Sequence, residues 1–228
     1  AAMRRACTRT LCASPRVMRP TSQPTLSFDP SAKTAMDKQE PPAPGADFRV
    51  VIVGAGNINF GSDEGPWNHS FRLEHKLGPR LKVVALIDPD AERARRVLKT
   101  KCQSFVLSAY KDTVVYPTFK DYMASVCAET YPHAVWVGSP PAFRGGTEPG
   151  RNLEQLLTAG LPNVPRFIEK PVSTGAVDQT FEVAKMLEQN GSLVSVGYML
   201  RYLKVVQKMK QIIAENDLHV MAVNARFI

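Results

Sequence analysis

No stretch of this 228-residue chain approaches the roughly 18 uninterrupted apolar residues of a membrane-spanning helix, so a helical membrane protein and a membrane partner are excluded. Cysteine is scarce. The four cysteines, Cys7, Cys12, Cys102 and Cys127, match neither a zinc motif nor a redox CxxC pair, and they read as reduced, structural thiols of an intracellular protein. Histidine is equally sparse: His69, His75, His133 and His219 lack metal-ligand spacing, and His69 and His75, six apart, fall on different helical faces. No bound metal is expected. Acids are nearly missing from residues 1–35, where Arg4, Arg5, Arg9, Arg16, Arg19 and Lys33 face only Asp29. That segment holds +5 of the net +8, leaving about +3 for everything else, so the charge belongs to a tail and gives no support to a nucleic-acid partner.

Residues 1–46 also lack apolar periodicity and are expected to be a disordered leader, since they bury too little surface to offset ordering entropy. Arg-rich and Ser/Thr-rich, they suit a mitochondrial presequence, although Pro15, Pro20 and Pro24 interrupt any amphipathic helix. A plain leader, or sequence upstream of a start at Met36, are the other readings. Without a presequence the protein is expected to be cytoplasmic.

What is present begins at Phe48. Apolar runs at Val50–Val53, Leu81–Asp88, Thr113–Tyr116, Ala134–Gly138, Arg166–Glu169 and Leu193–Tyr198 read as buried parallel strands. Helical segments lie between most of them. One follows Pro66, from about Trp67 to Leu77; others are capped by Asp90 and Thr118, and two end at Gly160 and Gly191. This alternation predicts right-handed crossovers and an α/β, doubly wound parallel sheet of the Rossmann kind over residues 47–200. Residues 201–228 read as a helix and then a strand, His219–Phe227, beginning a second α/β domain that continues past Ile228. A lone strand is unstable, and its open edge predicts self-association.

Three motifs carry chemistry. Gly54-Ala55-Gly56-Asn57-Ile58 follows the first strand: the first glycine permits a tight turn, the second lets backbone approach a pyrophosphate, and the following amides face the anion. Asn59 stands at the usual third glycine, and Gly61 to Pro66 lengthen the loop. Asp88 ends the second strand, 34 residues after Gly54, where a carboxylate accepts ribose hydroxyls and favours NAD, with NADP left open. Arg93, Arg95 and Arg96 follow and read as a solvated helix face, with a phosphate-binding role as the alternative. Glu169-Lys170-Pro171 closes the fifth strand, at the end where open α/β sheets bind ligands, and Lys170 can point its ammonium at a substrate hydroxyl.

In this order, together with Ser139-Pro140 and Val196-Gly197-Tyr198-Met199-Leu200-Arg201-Tyr202, the motifs resemble those of the glucose–fructose oxidoreductase / inositol dehydrogenase (Gfo/Idh/MocA) family over residues 48–228. The resemblance implies a dehydrogenase transferring hydride between NAD(P) and a sugar, polyol or related carbonyl compound. It implies Lys170 between nicotinamide and substrate, with Gly54, Gly56, Asn57, Ile58, Asp88, Ser139, Pro140 and Glu169 at the cofactor. A homo-oligomer is compatible with the full-length form. Two departures stand out. Arg144 replaces a histidine that often follows the fourth strand, and the family's catalytic histidine belongs to a segment beyond Ile228. The alternative is a non-catalytic, dinucleotide-binding regulatory module of the same fold.

Overall fold

The computed structural model describes residues 42–62, 68–224 and 226. Expectations for residues 1–41, with Cys7 and Cys12, and for Pro66 as a helix start lie outside the described residues.

Six parallel strands form one sheet: β1 (Phe48–Val53), β2 (Leu81–Ile87), β3 (Val114–Tyr116), β4 (Ala134–Val137), β5 (Arg166–Ile168) and β6 (Val194–Val196), in the order β3-β2-β1-β4-β5-β6. This is the doubly wound arrangement, and all five pairings are parallel. Alternate residues of β1 supply two cores. Val50 and Ile52 join Leu73, Leu81, Leu86, Leu98 and Val115 on one face; Val51 and Val53 join Ala85, Ile87, Val135, Leu157 and Ile168 on the other. Val50–Val53 of β1, covered on both faces, has no polar alternation, which is why the run is legible as buried.

The β1–β2 register slips between Val50 and Val51, so that Val50 pairs with Val83 but Val51 with Ala85. The extra residue, Val84, reverses the facing of everything after it on β2. Leu81 and Val83 therefore share a face with Leu86 rather than with Ala85 and Ile87.

Three of the helices among the described residues start at a side-chain cap. α1 is a single turn, Asn57–Phe60. α2 (His69–Leu77) starts at Asn68, whose side chain accepts the Phe71 amide and also donates to the Phe60 carbonyl, tying the two helices. α3 (Ala91–Cys102) is capped by Asp90 as expected, and α4 (Leu107–Tyr110) follows. α5 is capped by Thr118 but spans only Phe119–Met123, shorter than the sequence suggests. α6 (Leu153–Gly160) and α7 (Val177–Gln189) cover the β4–β6 half.

Gly191, at φ 61°, ends α7 in the left-handed conformation expected of it. Gly160 has another reason to be glycine: a Cβ there would lie 3.1 Å from the Phe119 ring and the Met123 sulfur. Tyr110 OH and Lys101 Nζ both meet Glu74 Oε1 at 2.7 Å, joining α2, α3 and α4; burial and the neighbouring carboxylate push the Tyr110 pKa upward.

After β6, a 3-10 turn (Met199–Tyr202) leads to α8 (Lys204–Glu215). Of the strand expected at His219–Phe227, the described residues 219–224 are irregular and exposed instead. Among the described residues no strand lies beside it, so the apolar alternation there has no ladder to join.

Candidate functional site: the carboxyl rim of the sheet

Because every strand is parallel, the ends of β1, β2, β4, β5 and β6 lie on one rim. The chain runs outward from β1 in both directions, so the crevice between β1 and β4 is the switch point where open sheets bind ligands. Gly54, Ser139 and Lys170 all follow strands that end on this rim.

The glycine turn is held from below. Gly54 has φ 97°, and a Cβ there would lie 3.0 Å from the Ser139 amide nitrogen, so only glycine lets β1 pass this close to the β4 loop. Asn59, wholly buried, donates Nδ2 to the Val53 carbonyl at 3.1 Å and the Gly54 carbonyl at 2.7 Å. It fills space over Gly138, where a Cβ would come within 2.3 Å of Asn59 Oδ1. What reads as a missing third glycine is a side-chain brace. The signal available in the sequence was the small residue facing it, Gly138.

Gly56 differs. Its backbone, at φ −80° and ψ 176°, suits any residue, and a Cβ there would meet nothing within 4 Å among the described residues. Among the described residues nothing in the fold requires glycine at this position. The open cradle fits a backbone-hugging pyrophosphate, as does the buried Ser139 Oγ across the crevice, which has no partner among the described residues.

Asp88 is only 3% exposed. Its Oδ2 accepts the Ala55 amide at 2.7 Å, and its Oδ1 accepts the Asp90 amide at 2.8 Å and Arg93 Nη2 at 2.7 Å. The carboxylate therefore braces the glycine turn from the β2 side. The pairing corrects the expectation for Arg93, whose half-exposed guanidinium closes on Asp88, while Arg95 and Arg96 are exposed as expected. Asp88 holds the Arg93 pKa above its ordinary value.

Arg144 is the largest wholly buried side chain. Its guanidinium donates to three main-chain carbonyls: Ser139 at 3.0 Å, Val172 at 2.9 Å and Glu169 at 2.5 Å. The residue in the histidine's place thus ties the Ser139-Pro140 loop to the Lys170 turn, whose Lys170–Pro171 bond is cis. Burial lowers the Arg144 pKa, while the nearby Glu154 and Glu169 carboxylates oppose that and balance its charge. Glu154, also buried, accepts the Gly145 amide at 2.7 Å.

Lys170 itself is exposed on the rim. Glu169 is not: its Oε2 accepts the Lys170 amide at 2.8 Å, and its Oε1 lies 2.7 Å from His69 Nε2. His69, which has no sequence signal beyond its own identity, is 3% exposed and sits 5.4 Å from the Trp136 ring and 5.0 Å from Phe167. A Cβ on Gly197 would lie 2.9 Å from Glu169 Oε1, so the glycine of the Val196-Gly197-Tyr198 motif makes room for this carboxylate.

With the geometry in place, comparison with known proteins gives its family. Residues 48–198 match the Gfo/Idh/MocA model, described as an oxidoreductase family with an NAD-binding Rossmann fold. The chain belongs to that family. Residues 201–228 match a second model, an oxidoreductase C-terminal domain. Two uncharacterized proteins of Schizosaccharomyces pombe are similar: one is 42% identical over 185 residues (80% of this chain, 48% of the relative), the other 43% over 192 residues (83% and 47%). The chain spans about half the length of these curated relatives. Among solved structures, scyllo-inositol dehydrogenase from Lactobacillus casei, with bound NAD(H) and scyllo-inositol, shares the fold at a TM-score of 0.50 and 17% identity, covering 75% of this chain and 42% of that one. No helix of the described residues in this oxidoreductase-family chain is long and apolar enough to cross a membrane.

His69, buried, and His133, half-buried, give the fold a pH dependence. Burial lowers the His69 pKa below 6.5, although the Glu169 hydrogen bond opposes it; burial and then Arg49 lower that of His133. Both are thus neutral when folded and accept protons more readily when unfolded. Stability is full above the unfolded value, about 6.5, and is lost as pH falls through the folded ones. The urea midpoint should drop between pH 7.5 and 5.5, and His69→Gln should flatten that drop. An unchanged slope in the variant would remove His69 from this account.

Proposed function

We propose that this chain is the cofactor-binding part of an NAD(P)-dependent oxidoreductase that transfers hydride to or from a sugar, polyol or related carbonyl compound. The observation that carries this reading is the pairing of an unobstructed Gly56 cradle with Lys170 on the same rim, either side of the β1–β4 switch point. In this reading the pyrophosphate lies over Gly54, Gly56, Asn57 and Ile58, and Ser139 and Pro140 line the cofactor beyond β4. Asp88 meets the adenosine ribose: the hydroxyls replace the half-exposed Arg93 guanidinium on Oδ1, while Oδ2 keeps the turn in place. A carboxylate at this position favours NAD, and Arg93 beside it leaves NADP open.

The cofactor, when bound, supplies the hydride chemistry. Lys170 contributes an ammonium that polarises the substrate oxygen, held in place by the Glu169 and Arg144 contacts beneath its turn. The substrate class draws support from the scyllo-inositol dehydrogenase of the same fold. Residues 1–46, 47–200 and 201–228 are proposed as leader, cofactor domain and beginning of the substrate domain.

Titration of nicotinamide fluorescence tests the reading directly. The chain should bind NADH saturably, with Kd on the order of 100 µM, about −5.5 kcal/mol. Absence of a saturable signal would refute it.

A further inference from the structure

His69 is the first residue of α2, the helix that follows the cofactor loop, yet its ring reaches the end of β5, 100 residues later in sequence. We propose that His69 is a positioning residue, which through Glu169 sets where the Lys170 turn stands relative to the cofactor. The inference rests on the functional reading above.

Four observations lead to it. The His69 Nε2–Glu169 Oε1 contact, at 2.7 Å, is short and shielded, with His69 3% and Glu169 8% exposed. The ring cannot relax elsewhere, because Trp136 and Phe167, themselves stacked at 4.2 Å, pack against it. Glu169 spends its other oxygen on the Lys170 amide, so the two oxygens of one carboxylate join α2 to the lysine turn. Gly197 leaves no Cβ that would push the carboxylate away.

The chemistry sets the roles. A buried carboxylate is costly unless its lone pairs are engaged, and here one imidazole N–H and one amide N–H engage them. With His69 neutral, Nε2 carries the proton and donates; Nδ1 has no partner among the described residues. Removing the donor leaves Glu169 Oε1 buried and unsatisfied, and the carboxylate then turns toward water or toward the Lys170 ammonium. Either movement displaces Lys170 at the nicotinamide end. The glycine turn has its own braces, Asn59 and Asp88, and no hydrogen bond among the described residues joins it to His69 or Glu169.

That separation makes a test that simple loosening of the fold would not mimic. ADP-ribose reports the glycine-turn end alone, and NADH reports both ends. In His69→Leu, NADH affinity should fall about tenfold, or ~1.4 kcal/mol, while ADP-ribose affinity stays within about twofold. His69→Gln, whose amide can also donate to Glu169, should restore the NADH-to-ADP-ribose ratio.

Equal weakening of both ligands in His69→Leu, or no weakening of either, overturns the proposal. If the leucine variant fails to fold, Glu169→Gln must show the selective loss of NADH while His69→Gln does not; any other pattern overturns it as well. A wild-type chain that binds neither ligand would instead refute the cofactor reading itself.

Discussion

Gly56→Ala should weaken NADH binding about 50-fold or more, ~2.3 kcal/mol, while leaving the fold as stable as before. The two consequences separate because the residue's surroundings do. Its φ of −80° and ψ of 176° are available to alanine, and a Cβ meets no atom of the described residues within 4 Å. Alanine also reduces the freedom of the unfolded chain, so the urea midpoint should hold or rise by up to about 0.5 kcal/mol equivalent. Binding suffers because the new methyl stands where the pyrophosphate must approach the backbone.

The neighbouring glycine provides the contrast. Gly54→Ala should cost about 2–3 kcal/mol of stability as well as binding, because φ is 97° and the Cβ would lie 3.0 Å from the Ser139 nitrogen, so β1 and the β4 loop must part. Fluorescence titration and urea unfolding on the two variants decide the matter. If Gly56→Ala bound NADH as well as wild type, the cradle would not be the pyrophosphate site.

Arg144→Met should be the most destabilising single change on the rim, at about 4 kcal/mol by urea unfolding. Methionine fills much of the volume but leaves the carbonyls of Ser139, Glu169 and Val172 without their donor. Each unsatisfied buried acceptor costs roughly 1–3 kcal/mol, and partial exposure to water reduces the sum. Arg144→Lys should recover only part, since one ammonium cannot span the three carbonyls that a planar guanidinium reaches from its separate nitrogens. A loss below about 1 kcal/mol in the methionine variant would mean the two loops are held by their own packing.

The family likeness thus conceals a substitution with a distinct physical content. A histidine at position 144 could be a ligand to substrate or cofactor; the arginine here points inward and is wholly buried. Its effect on Lys170 is indirect, through the main chain of the turn. His69 and Asn59 act in the same indirect way: His69 braces Glu169 and Asn59 braces the glycine turn, and neither role is readable from spacing, although Asn59 stands at a motif position.

The sequence by itself determined the strands, the longer helices and the rim. Buried parallel strands need continuous apolar runs, and Val50–Val53 or Leu81–Ile87 admit no other reading. Caps such as Asp90 and Thr118 act within three residues, so their signals are local. Gly54, Asp88 and Lys170 were legible because each stands at the end of such a strand.

Only the tertiary structure decided the rest, because those choices lie between residues far apart in sequence. The slip at Val84 that turns half of β2 over is set by pairing with β1. The union of His69 with Glu169, of Arg93 with Asp88, and of Arg144 with three carbonyls depends on where helices and loops cross the rim. The irregular path of residues 219–224 depends likewise on the absence of a strand beside it among the described residues. Periodicity records which face a residue shows, but a buried hydrogen bond needs its partner's position, which packing alone supplies.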